Sequence, residues 1–69
     1  MKEVDARGLS CPQPVIMTTA AIKEKDFPFA VLVDTVTSRE NVTRIAERKG
    51  CTVESRPEAG GFRMVIDAS

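Results

Sequence analysis

The sequence predicts an α/β two-layer sandwich in the order βαβαββ, with a mixed four-stranded sheet and two helices packed on one face. Three observations predict this fold class. Four short segments have strand-type apolar patterning, two segments with helical spacing separate the first three strands, and a glycine-rich turn precedes the last. The 69 residues provide one core, so residues 1–69 form a single domain. Two helices in so short a chain cannot cover both faces of the sheet.

The first strand is predicted at residues 2–7, KEVDAR. Val4 and Ala6 fall on one side of this alternating segment, and Gly8 interrupts the pattern. The first helix is predicted over residues 12–25, because a proline suits the first helical turn, where its missing N–H has no intrahelical partner to lose. The predicted buried stripe of this helix consists of Val15, Thr18, Thr19 and Ile22.

The second strand is predicted at residues 29–34, FAVLVD, whose uninterrupted apolar run is typical of a strand buried on both faces. A second helix follows. Thr37 and Glu40 match a capping box at its start, and Gly50 provides its stop. The predicted buried stripe of the second helix consists of Val42, Ile45 and Ala46.

The third strand is predicted at residues 51–55 and the turn at residues 57–61, PEAGG. Gly60-Gly61 is interpreted as a hairpin turn and not as a phosphate loop, because it joins two strands and opens no helix. The first three strands are predicted to be parallel and the fourth antiparallel. Phe62, Met64 and Ile66 face one side of the fourth strand. The helices are expected to bury Val15, Ile22, Val42 and Ile45 against Val31, Val33 and Met64.

Composition excludes several classes of function. Ten Lys and Arg balance ten Asp and Glu, which argues against binding nucleic acid or an anionic membrane by bulk charge. No apolar run approaches the ~20 residues of a spanning helix, and MKEVDARG lacks the apolar core of a signal peptide, so a cytoplasmic location is expected. With no His and two Cys, the chain has no Ser-His or Cys-His pair and no four-ligand zinc site. We therefore expect no metal and no cofactor.

The remaining candidate for chemistry is Cys11, which precedes Pro12 and Pro14 at the predicted start of the first helix. The positive end of a helix lowers the pKa of a thiol placed there. The two prolines remove two backbone donors, leaving mainly the N–H groups of Gln13 and Val15, so the expected effect on the pKa is moderate. The prolines also stiffen the segment. The spacing alone leaves open that the cysteine is a small buried hydrophobe.

The segment DARGLSCPQP, residues 5–14, resembles the signature of the TusA/SirA/YedF family of small sulfur-carrier proteins. That signature is Cys-Pro-x-Pro at the start of the first helix, after a D-x-x-G-L-x segment. The resemblance covers essentially the whole chain and is closest to the N-terminal TusA-like domain of the YedF branch. In that branch a second, DsrE-like domain usually follows, which leaves open that this chain is an excised N-terminal domain. The matching residues are Asp5, Gly8, Leu9, Cys11, Pro12 and Pro14.

This resemblance implies that Cys11 accepts a persulfide sulfur from a cysteine desulfurase or related donor. The sulfur then passes to a downstream acceptor protein, in tRNA thiolation or other sulfur or selenium metabolism. Such a sulfurtransferase-type carrier needs no general base of its own, because its partners bring the chemistry. The better-studied family members often carry Glu at the position of Gln13, so less negative charge lies beside the sulfur here. The residues implied to shape the site are Asp5, Gly8, Leu9, Pro12, Gln13 and Pro14.

Two other features of the sequence are candidates for a role. Cys51 opens the third strand, so parallel strands place it a strand length from Cys11, ~15 Å, which exceeds the ~7 Å between Cα atoms that a disulfide allows. We interpret Cys51 as structural. The second helix has a basic side, which is either a solvated face or a docking surface for an acidic partner or tRNA. Its residues are Arg39, Arg44, Arg48 and Lys49.

Two alternative functions stay open. The first is an RNA-binding module of similar fold, against which the zero net charge and the lack of an aromatic stacking pair argue. The second is a regulatory protein-interaction module, in which Cys11 would have no chemical role.

Asp5 is expected to lie near Cys11 and to hydrogen-bond the turn after the first strand.

Overall fold

The computed structural model describes residues 2–9, 13–25 and 27–68. These residues form an α/β two-layer sandwich in the predicted order βαβαββ, with both helices on one face of a mixed four-stranded sheet. The elements are β1 (Lys2–Asp5), α1 (Gln13–Glu24), β2 (Phe29–Val33), α2 (Val36–Arg48), β3 (Cys51–Glu58) and β4 (Gly61–Ala68).

The sheet has the strand order β1-β2-β4-β3. β1 is parallel to β2, and β4 is antiparallel to both β2 and β3, so the first three strands run in one direction as predicted. β4 lies between β2 and β3, which makes β3 an edge strand. Pro57 is therefore tolerated within β3, because a strand at the sheet edge has a neighbour on one side only.

β2 forms the centre of the core. All five of its residues are buried, as its uninterrupted apolar run predicts. Phe29, Val31 and Val33 pack on the helix side together with Met64 and Ile66 of β4. The cluster is completed by Val4, Ala6, Ala21, Val42, Ala46 and Cys51.

The opposite face of the sheet is charged. Arg63 alternates with the buried Met64 along β4 and therefore points away from the helices. Its guanidinium donates to Glu3 of β1 at 2.7 Å and to Glu58 of β3 at 2.9 Å, and these contacts raise the pKa of Arg63. One side chain thus links three strands of the open face.

The predicted helix stripes are partly wrong. In α1, Thr18 is buried as predicted, but Val15, Thr19 and Ile22 are only half-buried. Pro14 and Ala21 are buried together with Thr18, and the half-buried Ile22 packs against the core cluster, as does Met17. In α2, Val42 and Ala46 are buried as predicted, while Ile45 is half-buried.

The N-terminal cap of α2 also differs from the prediction. Its N-cap is Thr35, whose Oγ1 accepts a hydrogen bond from the Ser38 N–H at 3.0 Å. The capping box predicted at Thr37 and Glu40 is wrong, because both residues already lie inside the helix and a capping side chain needs an extended backbone. The predicted stop is confirmed, since Gly50 follows the helix with a φ of 84°.

The hairpin is tighter than predicted. β3 continues to Glu58, which pairs with Gly61, so only Ala59 and Gly60 form the turn. Gly60, the second residue of this turn, has a φ of 74°, a left-handed conformation that glycine adopts without strain. The interpretation of Gly60-Gly61 as a hairpin, and not as a phosphate loop, is confirmed.

Candidate functional site

The predicted site centres on Cys11, which lies outside the described residues, as does Pro12. The structure describes what flanks them, residues 2–9 on one side and α1 on the other. Gln13 is exposed at the first position of α1, and Pro14 is fully buried beneath it. Pro14 therefore anchors the first turn of α1 on the core.

The segment that leads towards Cys11 leaves the sheet at the carboxyl ends of β1 and β2. These ends meet at one edge because the two strands are parallel. The Ala6 N–H donates to the Leu32 carbonyl at 2.9 Å and extends the pairing one residue beyond β1. Gly8 then turns the chain with a φ of 76°, and its N–H donates to Asp34 Oδ2 at 2.8 Å.

Asp34 is a residue that the sequence analysis missed. It follows β2 directly, and its carboxylate reaches across to the turn after β1. A signal for it exists in the sequence, because an acidic residue just after a buried parallel strand lies at the edge where the loops of such strands meet.

Asp5 is hydrogen-bonded to the turn, as predicted. Its Oδ1 accepts from the backbone N–H of Arg7 at 3.1 Å and from Arg7 Nε at 2.9 Å, and its Oδ2 accepts from Arg7 Nη2 at 2.9 Å. These hydrogen bonds, chiefly those from the Arg7 side chain, lower the pKa of Asp5 from 3.8 to about 2. The side-chain bonds also raise the pKa of Arg7. Arg7, which sequence reasoning did not select, thus neutralises a carboxylate beside the turn. The proximity of Asp5 to Cys11 stays a prediction, because Cys11 lies outside the described residues.

Gly61 lies against the backbone of Val33 and Asp34. A Cβ atom at this position would lie 2.2 Å from the Val33 carbonyl oxygen and 2.8 Å from the Asp34 Cα atom. Such a distance to backbone atoms is sterically forbidden, so only glycine lets β4 begin against the end of β2. The sequence predicts Gly61 as a turn residue and does not reveal this close approach to the end of β2.

Exposed apolar side chains accompany this edge. Among the described residues, the large exposed hydrophobic side chains are Leu9, Ile16 and Val36, with 39%, 53% and 52% of their surface exposed. Leu9 follows the Gly8 turn, Ile16 lies in the first turn of α1, and Val36 begins α2. All three therefore belong to the end of the molecule where β1 and β2 finish and both helices begin. Single exposed apolar residues are ordinary, but their restriction to one end indicates a surface suited to protein contact.

The four basic residues predicted on α2 do not form one cluster with this edge. Arg39 is half-buried, and its guanidinium lies 4.7 Å from the ring centroid of Phe62. Arg44 and Arg48 are exposed further along the helix, and Lys49 is its C-cap. Glu40 and Glu47 line a shallow groove together with Arg39 and Arg44, so this side of α2 carries both signs of charge.

Cys51 lies at the other end of the sheet. It is buried with 8% of its surface exposed, carries a free thiol, and pairs with Ala68 where β3 begins. Gly8 and Asp34 lie beyond the opposite ends of the strands. This position supports the structural role predicted for Cys51, and its separation from Cys11 stays a prediction.

Residues 2–9, 13–25 and 27–68 contain no group of three or more Cys, Asp or Glu side chains arranged to hold a metal ion. In the same ranges, neither helix is long and apolar enough to cross a membrane.

Comparison with known proteins identifies the family. Residues 2–68 match the family model described as Sulfurtransferase TusA. The chain belongs to the TusA family. This TusA-family chain is 38% identical over 69 residues to a candidate sulfur carrier protein of Methanocaldococcus jannaschii, covering 96% of the chain and 92% of the relative.

A solved structure agrees with this assignment. The crystal structure of a SirA-like protein from Desulfitobacterium hafniense superposes on the TusA-family chain with a TM-score of 0.85 and 33% identity, covering 100% of this chain and 97% of that one. The resemblance to the TusA/SirA family and the predicted fold are therefore confirmed. The YedF branch stays a prediction.

Proposed function

We propose that this TusA-family chain carries sulfur as a persulfide on Cys11, accepting it from a cysteine desulfurase or related donor and passing it to a downstream acceptor protein. Family membership supports sulfur carriage in general. The observation that carries the specific proposal is the position of the DARGLSCPQP segment. It joins the end of β1 to the start of α1, and the described residues on both sides of the cysteine, Leu9 and Gln13, are exposed.

The chemistry needs a thiolate and a partner. The Cys11 thiolate attacks the outer sulfur of the donor persulfide, a new S–S bond forms, and the donor cysteine leaves as a thiolate. In the second transfer, the acceptor thiolate attacks the outer sulfur of the Cys11 persulfide, and Cys11 leaves as a thiolate. Neither transfer involves net oxidation or reduction. α1 begins two residues after Cys11, and the positive end of a helix favours a thiolate nearby. The chain has no histidine, so proton movement falls to the partners or to water.

Partner contact is the second requirement. The exposed Leu9, Ile16 and Val36 provide apolar surface at the end of the molecule where the Cys11 segment leaves the sheet. We propose that donor and acceptor dock there in turn, with the basic residues of α2 as a secondary contact. Exchange of this kind suits the cytoplasm, where thiols stay reduced. For a member of the YedF branch, a DsrE-like domain would be one of these partners.

Intact-mass measurement tests the proposal. Incubation with a cysteine desulfurase and cysteine is expected to add one sulfur, ~32 Da, which dithiothreitol removes by thiol exchange. Cys11→Ser abolishes the addition, whereas the matched control Cys51→Ser retains it. Addition of sulfur to the Cys11→Ser variant would show that the carrier thiol is not Cys11.

A further inference from the structure

We propose that Asp34 is a positioning residue for Cys11, acting through the backbone N–H of Gly8. The inference rests on the proposed function, because it assigns a task to the segment that carries the thiol. The Gly8 N–H donates to Asp34 Oδ2 at 2.8 Å, and Cys11 follows Gly8 by three residues. The distance is that of an ordinary N–H···O hydrogen bond.

Among the described residues, the turn around Gly8 makes few other hydrogen bonds. Beyond the Ala6–Leu32 bond, the backbone contact in the described part of this turn runs from the Leu9 N–H to the Ala6 carbonyl at 3.4 Å, which is long for a hydrogen bond. Asp5 and Arg7 hydrogen-bond to each other within the turn, and Arg7 is also attracted electrostatically to Glu58 of β3 and to Asp34. The Asp34 carboxylate is therefore the contact that joins Gly8 to the end of β2.

Asp34 itself is held on both sides. Val33 before it is fully buried and pairs with Phe62 of β4, and Thr35 after it caps α2. Gly61 lies so close to the Val33 carbonyl and the Asp34 Cα atom that no side chain fits between them. Asp34 thus lies between a buried strand residue and a helix cap, while the group that its carboxylate holds belongs to a turn.

A fixed turn matters for sulfur exchange because the attacking sulfur has to enter a partner's site in one orientation. Holding a reacting group in place supplies part of the rate by removing unproductive arrangements. With Gly8 held, only Leu9 and Ser10 separate the fixed point from Cys11. Without the bond, the segment between β1 and α1 samples more positions, and productive contact with the donor becomes rarer.

Two substitutions separate geometry from charge. Asp34→Ala removes both the acceptor oxygen and the charge, whereas Asp34→Asn removes the charge and keeps an amide oxygen for the Gly8 N–H. The matched control is Asp67→Ala, because Asp67 is exposed near the opposite end of the sheet. Among the described residues, the hydrogen bond to its carboxylate comes from the backbone N–H of its neighbour Ala68. The readouts are amide hydrogen exchange at Gly8, iodoacetamide alkylation at Cys11, and kcat/KM for sulfur loading from a persulfidated desulfurase.

For Asp34→Ala we expect Gly8 exchange to rise about tenfold and kcat/KM for loading to fall roughly five- to tenfold, with a thermal midpoint close to that of the unchanged protein. Asp34→Asn and Asp67→Ala stay within about twofold of it in both rates. The proposal is overturned if Asp34→Ala loads sulfur at the original rate, or if Asp34→Asn loads as slowly as Asp34→Ala while Gly8 stays protected. Absence of loading in the unchanged protein refutes the carrier function instead. In that case the rate of iodoacetamide alkylation at Cys11 tests the positioning role of Asp34. This rate is expected to change in Asp34→Ala and to stay the same in Asp34→Asn.

Discussion

The guanidinium of Arg39 lies over the ring of Phe62, 4.7 Å from its centroid. This contact joins the first turn of α2 to the start of β4, and both side chains are half-buried. Arg39 therefore contributes to packing, whereas the sequence suggested only a solvated or docking role for the basic side of α2.

Arg39→Ala is expected to lower the free energy of unfolding by about 0.5–1 kcal/mol, since it removes the cation–π contact and the packing of the arginine stem. Arg48→Ala is the matched control, because Arg48 is exposed on the same helix, and its effect stays within about 0.5 kcal/mol. Urea denaturation measures both. Equal losses in the two variants would show that the ring contact contributes nothing.

Thr18→Val is expected to stabilise the protein by about 1 kcal/mol. The Thr18 hydroxyl is fully buried and has no hydrogen-bond partner among the described residues, and valine keeps the shape while removing the polar group. The control is Thr19→Val, which removes the hydrogen bond from Thr19 Oγ1 to the Val15 carbonyl at 2.8 Å and costs stability. Thermal unfolding compares them, and a loss of stability in Thr18→Val would contradict this account of the core.

The stability contributed by Asp5 depends on pH. Its pKa is lowered from 3.8 to about 2 in the folded chain, so the contribution is fully present above about pH 4 and disappears as the pH falls through about 2. Asp5→Asn is expected to be less stable than the unchanged protein at neutral pH, by a margin that vanishes towards pH 2. Arg7→Ala should return the carboxyl to its ordinary range in a carbon-13 NMR titration. An unchanged titration in that variant would show that Arg7 is not the cause.

Gly61→Ala is expected to destabilise the fold by about 1–3 kcal/mol, because the added methyl group meets the Val33 carbonyl and the backbone has to move. Gly60→Ala has open space around its Cβ atom and costs about 1 kcal/mol through its left-handed φ alone. Urea denaturation of the two variants gives the comparison. A smaller loss for Gly61→Ala than for Gly60→Ala would mean that β4 does not approach β2 as closely as described.

The two cysteines are expected to differ in reactivity towards iodoacetamide. Cys51 is buried in the core, so its alkylation requires local opening of β3 or global unfolding. Cys11 is expected to react much faster under native conditions, as peptide mass spectrometry of timed samples would show. Equal rates at the two positions would argue against the carrier role of Cys11.

Much of the fold follows from sequence patterns. The alternation of Val4 and Ala6, the apolar run of β2 and the glycine stop of α2 all indicated their elements correctly, because each reflects local burial or local backbone geometry. The structural role predicted for Cys51 is supported by its burial at the start of β3. Local patterns tell which side of an element is buried, and this largely determines a two-layer sandwich.

The remaining features depend on contacts between distant parts of the chain. Periodicity does not reveal which strands are neighbours, so the place of β4 between β2 and β3 was not predicted. The capping pattern in the sequence pointed to Thr37, whereas Thr35 is the N-cap of α2 in the structure. The bond between Gly8 and Asp34 joins residues 26 positions apart, and no spacing rule anticipates it.

The strand order has a consequence for synthesis of the chain. β4 is made after β3, yet it fills the place beside β2. Until residues 61–68 leave the ribosome, the five apolar residues of β2 have a free backbone edge, which is the kind of edge that invites aggregation. The core therefore closes only after residues 61–68 have been synthesised, and a chain truncated before Gly61 is expected to be an aggregation-prone fragment.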